Sequence, residues 1–401
     1  MSVFKKADIL VPNENVDLTK WSVIACDQYT SEPEYWERVK KNTQNSPSAL
    51  NIVFPEAFLS EGDGRISSIN STMAEYLENG IFEELIKSMI YVERTQRDGK
   101  TRKGIIGAVD LEEYDFNKGS KSKIRATEGT VLERIPPRVK IRENAPLELP
   151  HIMLLINEKD KKVINPDNRG ELLYEFTLME NSGKLCGYIM DDAEADRIIT
   201  ELDKLELNSP DGLAYAVGDG NHSLATAKTC WENIKKTLSD EEKKTHPARY
   251  CLVEIENIHD EALEFEPIHR VVFDTNPEKL LEDLMKYYPS TSKEDNGGQH
   301  IKYIYAEGCG DLYIKDAPSA MAVGTLQQFL DDYGCKTDYI HGSESTEKLA
   351  KREGCIGFIL PKMEKDELFE TVIRDGALPR KTFSMGEAWD KKFYMEAKKI
   401  K

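Results

Sequence analysis

Apolar residues recur along this chain in two rhythms, and the switches between them set the expected elements. Ile66, Ile69, Met73, Tyr76 and Leu77 lie three or four apart. That spacing predicts a helix from about residue 64, with a second short helix near Phe82 and Leu85. "SMIYVERTQ" and "RKGIIGAVDLEEYD" are strand-like runs joined by "RDGKT", whose Asp-Gly predicts a hairpin. Before them, "WSVIACDQY" reads as a strand entering a polar turn and "EPEYWERVKK" as a helix. After them come three more strand-like runs, "HIMLLINE", "LLYEFTLM" and "KLCGYIM", and an acid-started helix, "DDAEADRIITELDKL".

"YAVGDGNHSLATAK", residues 215–228, compresses strand, polar turn and helix start into fourteen residues, with the helix running to about 237. Beyond it, "ARYCLVEIENI", "FEPIHRVVF", "HIKYIYAE", "GDLYIKD", "DYIHG" and "CIGFILP" are strands. They are interleaved with helices at "NPEKLLEDLMKYY", 320–333, "STEKLAKREG" and "KDELFETVIRDG". The expected class is α+β, with mixed sheets and helices. Three regions are expected, at about 1–115, 116–245 and 246–401. Residues 115–148 break the rhythm, because four prolines in "RIPPRVKIRENAPLELP" exclude a long helix.

Composition narrows the classes. No apolar run approaches the roughly 20 residues that span a bilayer. The N-terminus has no apolar stretch of signal-peptide type. Seven cysteines without a CxxC pair argue against a disulfide framework or a cysteine zinc site, so the expectation is a cytoplasmic protein with reduced thiols. The net charge of −18 argues against a nucleic-acid partner. Residues 118–142 break the trend: Lys118, Lys121, Lys123, Arg125, Arg134, Arg138, Lys140 and Arg142 outnumber Glu128 and Glu133. Such a basic island suits local anion binding, or is a solvated loop.

Five places carry candidate chemistry. In the 218–223 turn, Gly218 and Gly220 permit unusual backbone conformations and precede a helix N-terminus able to hold phosphate. Asp219 can hold a cation or take a proton; Asn221 and Ser223 donate; His222 titrates near neutrality. The same residues also describe a capped helix with a satisfied histidine. The second place is "IRATEGTVLERIPPRVKIREN", where Arg125, Arg134, Arg138 and Arg142 suit phosphate oxygens and Thr127, Gly129 and Thr130 add short donors. Glu128 there can act as a general base. The third is His269 with Arg270, on a strand whose alternation sends them to opposite faces. The fourth is Asp27 with Gln28 and Tyr29; the fifth is Arg380, Lys381 and Thr382. His341 reads as local. No GxGxxG, P-loop, HExxH or GxSxG pattern occurs.

From "WSVIACDQYTSEPEYW" through "RATEGTVLERIPPRVKIRENAPLELPHIMLLI", "YAVGDGNHSLATAK" and "PIHRVV" to "LPRKTFSMGEA", the chain resembles the domain of unknown function 1015 family. Many relatives carry Asp-Gly-His-His-Arg at the turn; here it reads Asp219-Gly220-Asn221-His222-Ser223, so a phosphate-gripping arginine is expected from elsewhere, which puts weight on the basic island. The turn is similar, locally, to the phosphate turn of the ParB/sulfiredoxin fold, implying such an element around residues 120–240. That fold includes CTP-binding segregation proteins, ATP-using sulfiredoxins and free-serine kinases, and some relatives look like serine kinases using pyrophosphate. The resemblance implies a kinase passing a phosphoryl group from pyrophosphate or a nucleotide to L-serine or a similar amino acid. Asp219 would position Mg²⁺, and Glu128 or His222 would accept the hydroxyl proton. A nucleotide-binding regulator without catalysis, and a phosphatase or phosphate-ester enzyme, are the alternatives on the same scaffold.

Overall fold

The computed structural model describes residues 2–30 and 32–401. Contacts group the chain into two units, one holding residues up to Leu263 together with Glu387–Lys401, the other Glu264–Gly386. Both contain mixed sheets packed with helices, the α+β class. The expected boundaries near 115 and 245 fall inside the first unit, whose main sheet takes strands from both sides of each.

That sheet has ten strands among the described residues: β1 (Phe4–Lys5), β2 (Ile90–Thr95), β3 (Thr101–Asp110), β4 (Tyr114–Asp115), β5 (Ile124–Ala126), β6 (Met153–Ile156), β7 (Glu171–Thr177), β8 (Lys184–Ile189), β9 (Tyr215–Asp219) and β10 (Tyr250–Asn257). Their order is β7-β8-β2-β3-β10-β6-β9-β5-β4, with β1 beside β3. β2 and β3 form the expected antiparallel hairpin. β9 runs parallel to β5 and antiparallel to β6. The ends of β5 and β9 and the entry to β6 therefore meet at one edge of the sheet. Trp21, Trp36 and Trp231 are fully buried in the core of this unit.

Two expected elements differ. Phe82–Ser88 is a strand, antiparallel to Ala7–Pro12, rather than a short helix. Seven residues are too few to sustain a helix alone, and only Leu85 is buried along them, so the neighbouring strand decides the backbone. "WSVIACDQY" is buried from Trp21 to Ala25, yet its one described pairing is an isolated bridge between Ile24 and Phe393. The C-terminal strap 387–401 supplies its partners instead: the Ala25 N–H donates to the Lys392 carbonyl at 2.9 Å and the Tyr394 N–H to the Val23 carbonyl at 2.8 Å. In the proline-rich segment a short helix, Ile135–Arg142, carries its prolines in the first turn, where a missing N–H costs nothing.

The second unit holds a seven-stranded sheet with Phe265–Phe273 as an inner strand. It packs on helices Pro277–Tyr287 and Ala322–Tyr333 through Leu280, Leu284, Leu326 and Phe329. Among the described residues no helix is long and apolar enough to cross a membrane.

Candidate functional site

β9 is buried through Val217, and the chain then turns at Gly220 into the helix Asn221–Ile234. Gly220 has φ 78°, and a Cβ there would lie 2.9 Å from the Ile152 Cα, so the turn requires glycine twice over. No side chain caps the helix among the described residues. Its first N–H groups, at the positive end of the helix dipole, are the part of the turn chemically suited to an anion.

The Asp219 carboxylate closes the turn. Its Oδ1 accepts the Gly220 N–H at 2.8 Å and its Oδ2 faces Lys391 Nζ at 3.2 Å. Burial alone would push this carboxyl up, but the ammonium of Lys391, His151 and the Gly220 N–H together outweigh it and hold Asp219 below the usual aspartate value. The turn is thus a fixed negative charge, paired with a cation and set against a helix N-terminus.

The first part of the basic segment packs on the turn. Thr127, just beyond β5, donates to the Val217 carbonyl at 2.6 Å and lies 3.5 Å from Asn221 Nδ2. The Val131 N–H donates to His222 Nε2 at 3.3 Å. Glu128, Gly129 and Thr130 lie on the loop between these two contacts. The buried atoms Asn221 Oδ1 and Thr130 Oγ1 find no hydrogen-bond partner among the described residues.

A third strand end brings in residues that sequence reasoning did not single out. His151, buried just before β6, has Nε2 3.3 Å from Ser223 Oγ and Nδ1 2.8 Å from the Tyr394 hydroxyl. That hydroxyl also accepts the Cys26 N–H at 3.1 Å. The imidazole thus bridges the Tyr394 hydroxyl and the Ser223 hydroxyl. The Cys26 thiol beside this chain is pushed up to about 12 by burial and then by Asp27, so it is no thiolate nucleophile. His151 opens the strand-like run "HIMLLINE", but Lys391 and Tyr394 are remote in sequence and no spacing points to them.

The arginines part company. Arg125 is buried, and its guanidinium bonds the Ser122 carbonyl and Asp211, at the opposite end of β5 from the turn. It is a structural clamp rather than a phosphate ligand, because the loop entering β9 supplies its counter-charge. Arg142 pairs with the buried Glu148, which also accepts the Leu252 N–H at 2.8 Å. Arg138 pairs with Glu56, whose N–H bonds the Cys26 carbonyl at 2.8 Å, so it reaches the neighbourhood of the site already clasped. Arg134 is exposed at the start of its helix. An Arg125→Leu protein is expected to lose roughly 1–3 kcal/mol by urea denaturation, while any phosphate-ligand affinity measured well below its midpoint stays unchanged.

His269, Arg270, Arg380 and Lys381 lie in the second unit. His269 is buried, accepts the Leu360 N–H at 3.1 Å, and its imidazole is held low by burial and then by Arg270. Arg270 is fully buried, bonds Gln327 at 2.8 Å, and donates to the carbonyls of Ile268, Arg380 and Lys381. Both are consumed by the interior, because this strand is covered on both faces. Arg380 and Lys381 are exposed on the turn that Arg270 anchors, with Lys381 at φ 55°.

No curated protein matches the chain. Three solved structures are similar over about seven-tenths of it. A free serine kinase mutant in complex with ADP aligns at 11% identity and TM-score 0.40, covering 71% of this chain and 92% of that one. C-terminally truncated SbnI from Staphylococcus aureus aligns at 10% and 0.38, covering 70% and 82%. A conserved hypothetical protein from Pyrococcus furiosus aligns at 13% and 0.36, covering 72% and 95%. The site described above rests on none of them. A family model does match, over residues 8–333, and by it the chain belongs to the proteins of unknown function grouped as DUF1015.

Proposed function

We propose that this protein is a small-molecule phosphotransferase, moving a phosphoryl group from pyrophosphate or a nucleotide to the hydroxyl of L-serine or a similar amino acid. The observation that carries the reading is the Asp219–Gly220–Asn221 turn. An uncapped helix N-terminus stands beside an ionised carboxylate and an ammonium, with the Ser223 hydroxyl in the first turn. Phosphoryl transfer asks chiefly for such positioning and charge neutralisation. In this reading the helix N–H groups and Ser223 hold the donor phosphate. Glu128, on the loop packed against the turn, takes the acceptor hydroxyl proton as the new O–P bond forms and the donor P–O bond breaks. We assign the base role to Glu128 because a carboxylate on that loop is the stronger anion, with His222, whose Nε2 receives the Val131 N–H, as the second candidate.

Mg²⁺ fits as a companion of the donor. Among the described residues no three His, Cys, Asp or Glu gather into a metal cage. Asp219 would be its protein ligand, with phosphate and water oxygens completing the shell, as this ion prefers; bound there, it would neutralise phosphate charge. A cytoplasmic location and the absence of nucleic-acid or membrane partners belong to the same reading. The test is to mix the pure protein with L-serine, Mg²⁺ and either pyrophosphate, ADP or ATP. O-phosphoserine is then sought by mass spectrometry, and its consumption in the reverse direction. Formation with one donor is expected. No product in either direction sinks the serine assignment, and phosphate release that ignores serine points to hydrolysis instead.

A further inference from the structure

The cation that reaches the turn comes from the C-terminal strap. Lys121 and Arg125 of the basic segment face Asp211, Lys123 faces Glu206, and Lys140 faces Asp63. Lys391 instead faces Asp219, the residue that opens the turn. The Asp219 carboxylate touches one main-chain N–H and one ammonium, the two kinds of group that hold phosphate oxygens. The turn therefore already grips an anion, its own.

We propose that Lys391 is a phosphate-binding residue of this site, exchanging its bond with Asp219 for one with a phosphate oxygen of an incoming phosphate anhydride. The inference rests on the phosphotransferase reading and names the residue that grips the donor. Three features suit Lys391 to the exchange. Its side chain and that of Asp219 are 13% and 17% exposed, so both keep a contact with solvent. The adjacent Lys392 is more enclosed, between Glu254 and Glu396. The strap is fixed at Lys392 and Tyr394 by hydrogen bonds to Ala25 and Val23, so the four-carbon stem swings without moving the backbone. The Ser223 hydroxyl, 3.3 Å from His151 Nε2, lies on the first turn of the same helix.

Calorimetric titration of pyrophosphate and of ADP, without serine, tests this directly. Lys391→Met is expected to weaken binding at least tenfold, measured well below a melting temperature that falls because Asp219 loses its partner, and Lys391→Arg to restore most of both. Equal affinity in Lys391→Met and wild type overturns the proposal, the more so if Arg138→Met is the variant that loses binding. If Lys391→Met fails to fold, the wild type still decides: bound pyrophosphate is expected to protect Lys391 from amine acylation, read by peptide mass spectrometry, and unaltered labelling overturns the idea. Wild-type protein that binds neither anion sinks this inference and the phosphotransferase reading together. Anion binding that depends on Lys391, with no O-phosphoserine formed, sinks only the serine assignment.

Discussion

Lys392→Met is expected to destabilise the protein by about 3–5 kcal/mol near neutral pH, the usual cost of removing one partner from a buried ion pair. The lysine is buried, bonds Glu254, and lies 3.6 Å from Glu396, which itself accepts the Tyr174 hydroxyl. Burial would lower its pKa, yet Glu254 and Glu396 outweigh that and hold the ammonium charged. Without it, two buried carboxylates face each other. Glu254 sits on β10 two residues before Glu256, on the same face, and a Cβ at Gly104 of β3 would lie only 2.5 Å from its Oε1. A bulkier neighbour is thus excluded, and the face has no slack to rearrange.

The pH dependence gives the prediction its sign. Burial pushes Glu254 up, but Lys392 and then Arg102 bring it below the ordinary glutamate value. Its contribution to stability is therefore present above the unfolded pKa and lost as pH falls through the folded one. In Lys392→Met that contribution is gone, so the deficit is largest at neutral pH and shrinks as acid protonates the stranded carboxyls. Glu256 behaves oppositely: although Arg102 Nε lies 2.7 Å away, burial and then Glu254 raise it well above the usual range. Glu256→Gln should consequently be much milder than Glu254→Gln. Urea denaturation of the three variants, at neutral and acid pH, checks the order. Equal losses for the two glutamine variants would contradict the assignment.

Asp219→Asn is expected to lower phosphoryl-transfer turnover by roughly 10²–10³-fold, the scale on which a positioned electrostatic group acts. The amide still accepts the Gly220 N–H, so the turn should survive. The charge that holds a cation is gone, while Lys391 loses its competing carboxylate. The donor KM should therefore stay level or fall as kcat collapses. A rise in donor KM with unchanged kcat would place Asp219 in ground-state binding rather than in the reaction.

The difference between these residues and the basic island shows how much of the site was legible. Gly220, Asp219, Asn221 and His222 were readable because a strand, a glycine turn and a helix start are local events, set by residues a few positions apart. Thr127 and Glu128 were readable as one motif, and β5 does bring Thr127 to the turn. The arginine absent from position 223 was sought in residues 124–142, yet Arg125 turned out to clamp a loop at the far end of its strand, and Arg138 and Arg142 are bound to carboxylates. His269 and Arg270 drew attention as charged residues on a strand, and the sheet that covers both faces made them interior supports.

By itself the sequence determined the α+β class, most elements, the glycine that the turn requires, and the family. Local backbone preference and apolar periodicity are properties of neighbours along the chain. Only the tertiary structure decided which charges meet. Ion pairs and hydrogen bonds fall off within a few ångströms of space, whatever the distance in sequence. The strap that carries Lys391 and Tyr394 became part of the site because buried β-edge groups at Val23 and Ala25 needed partners, and no pattern in the chain announces where such partners come from.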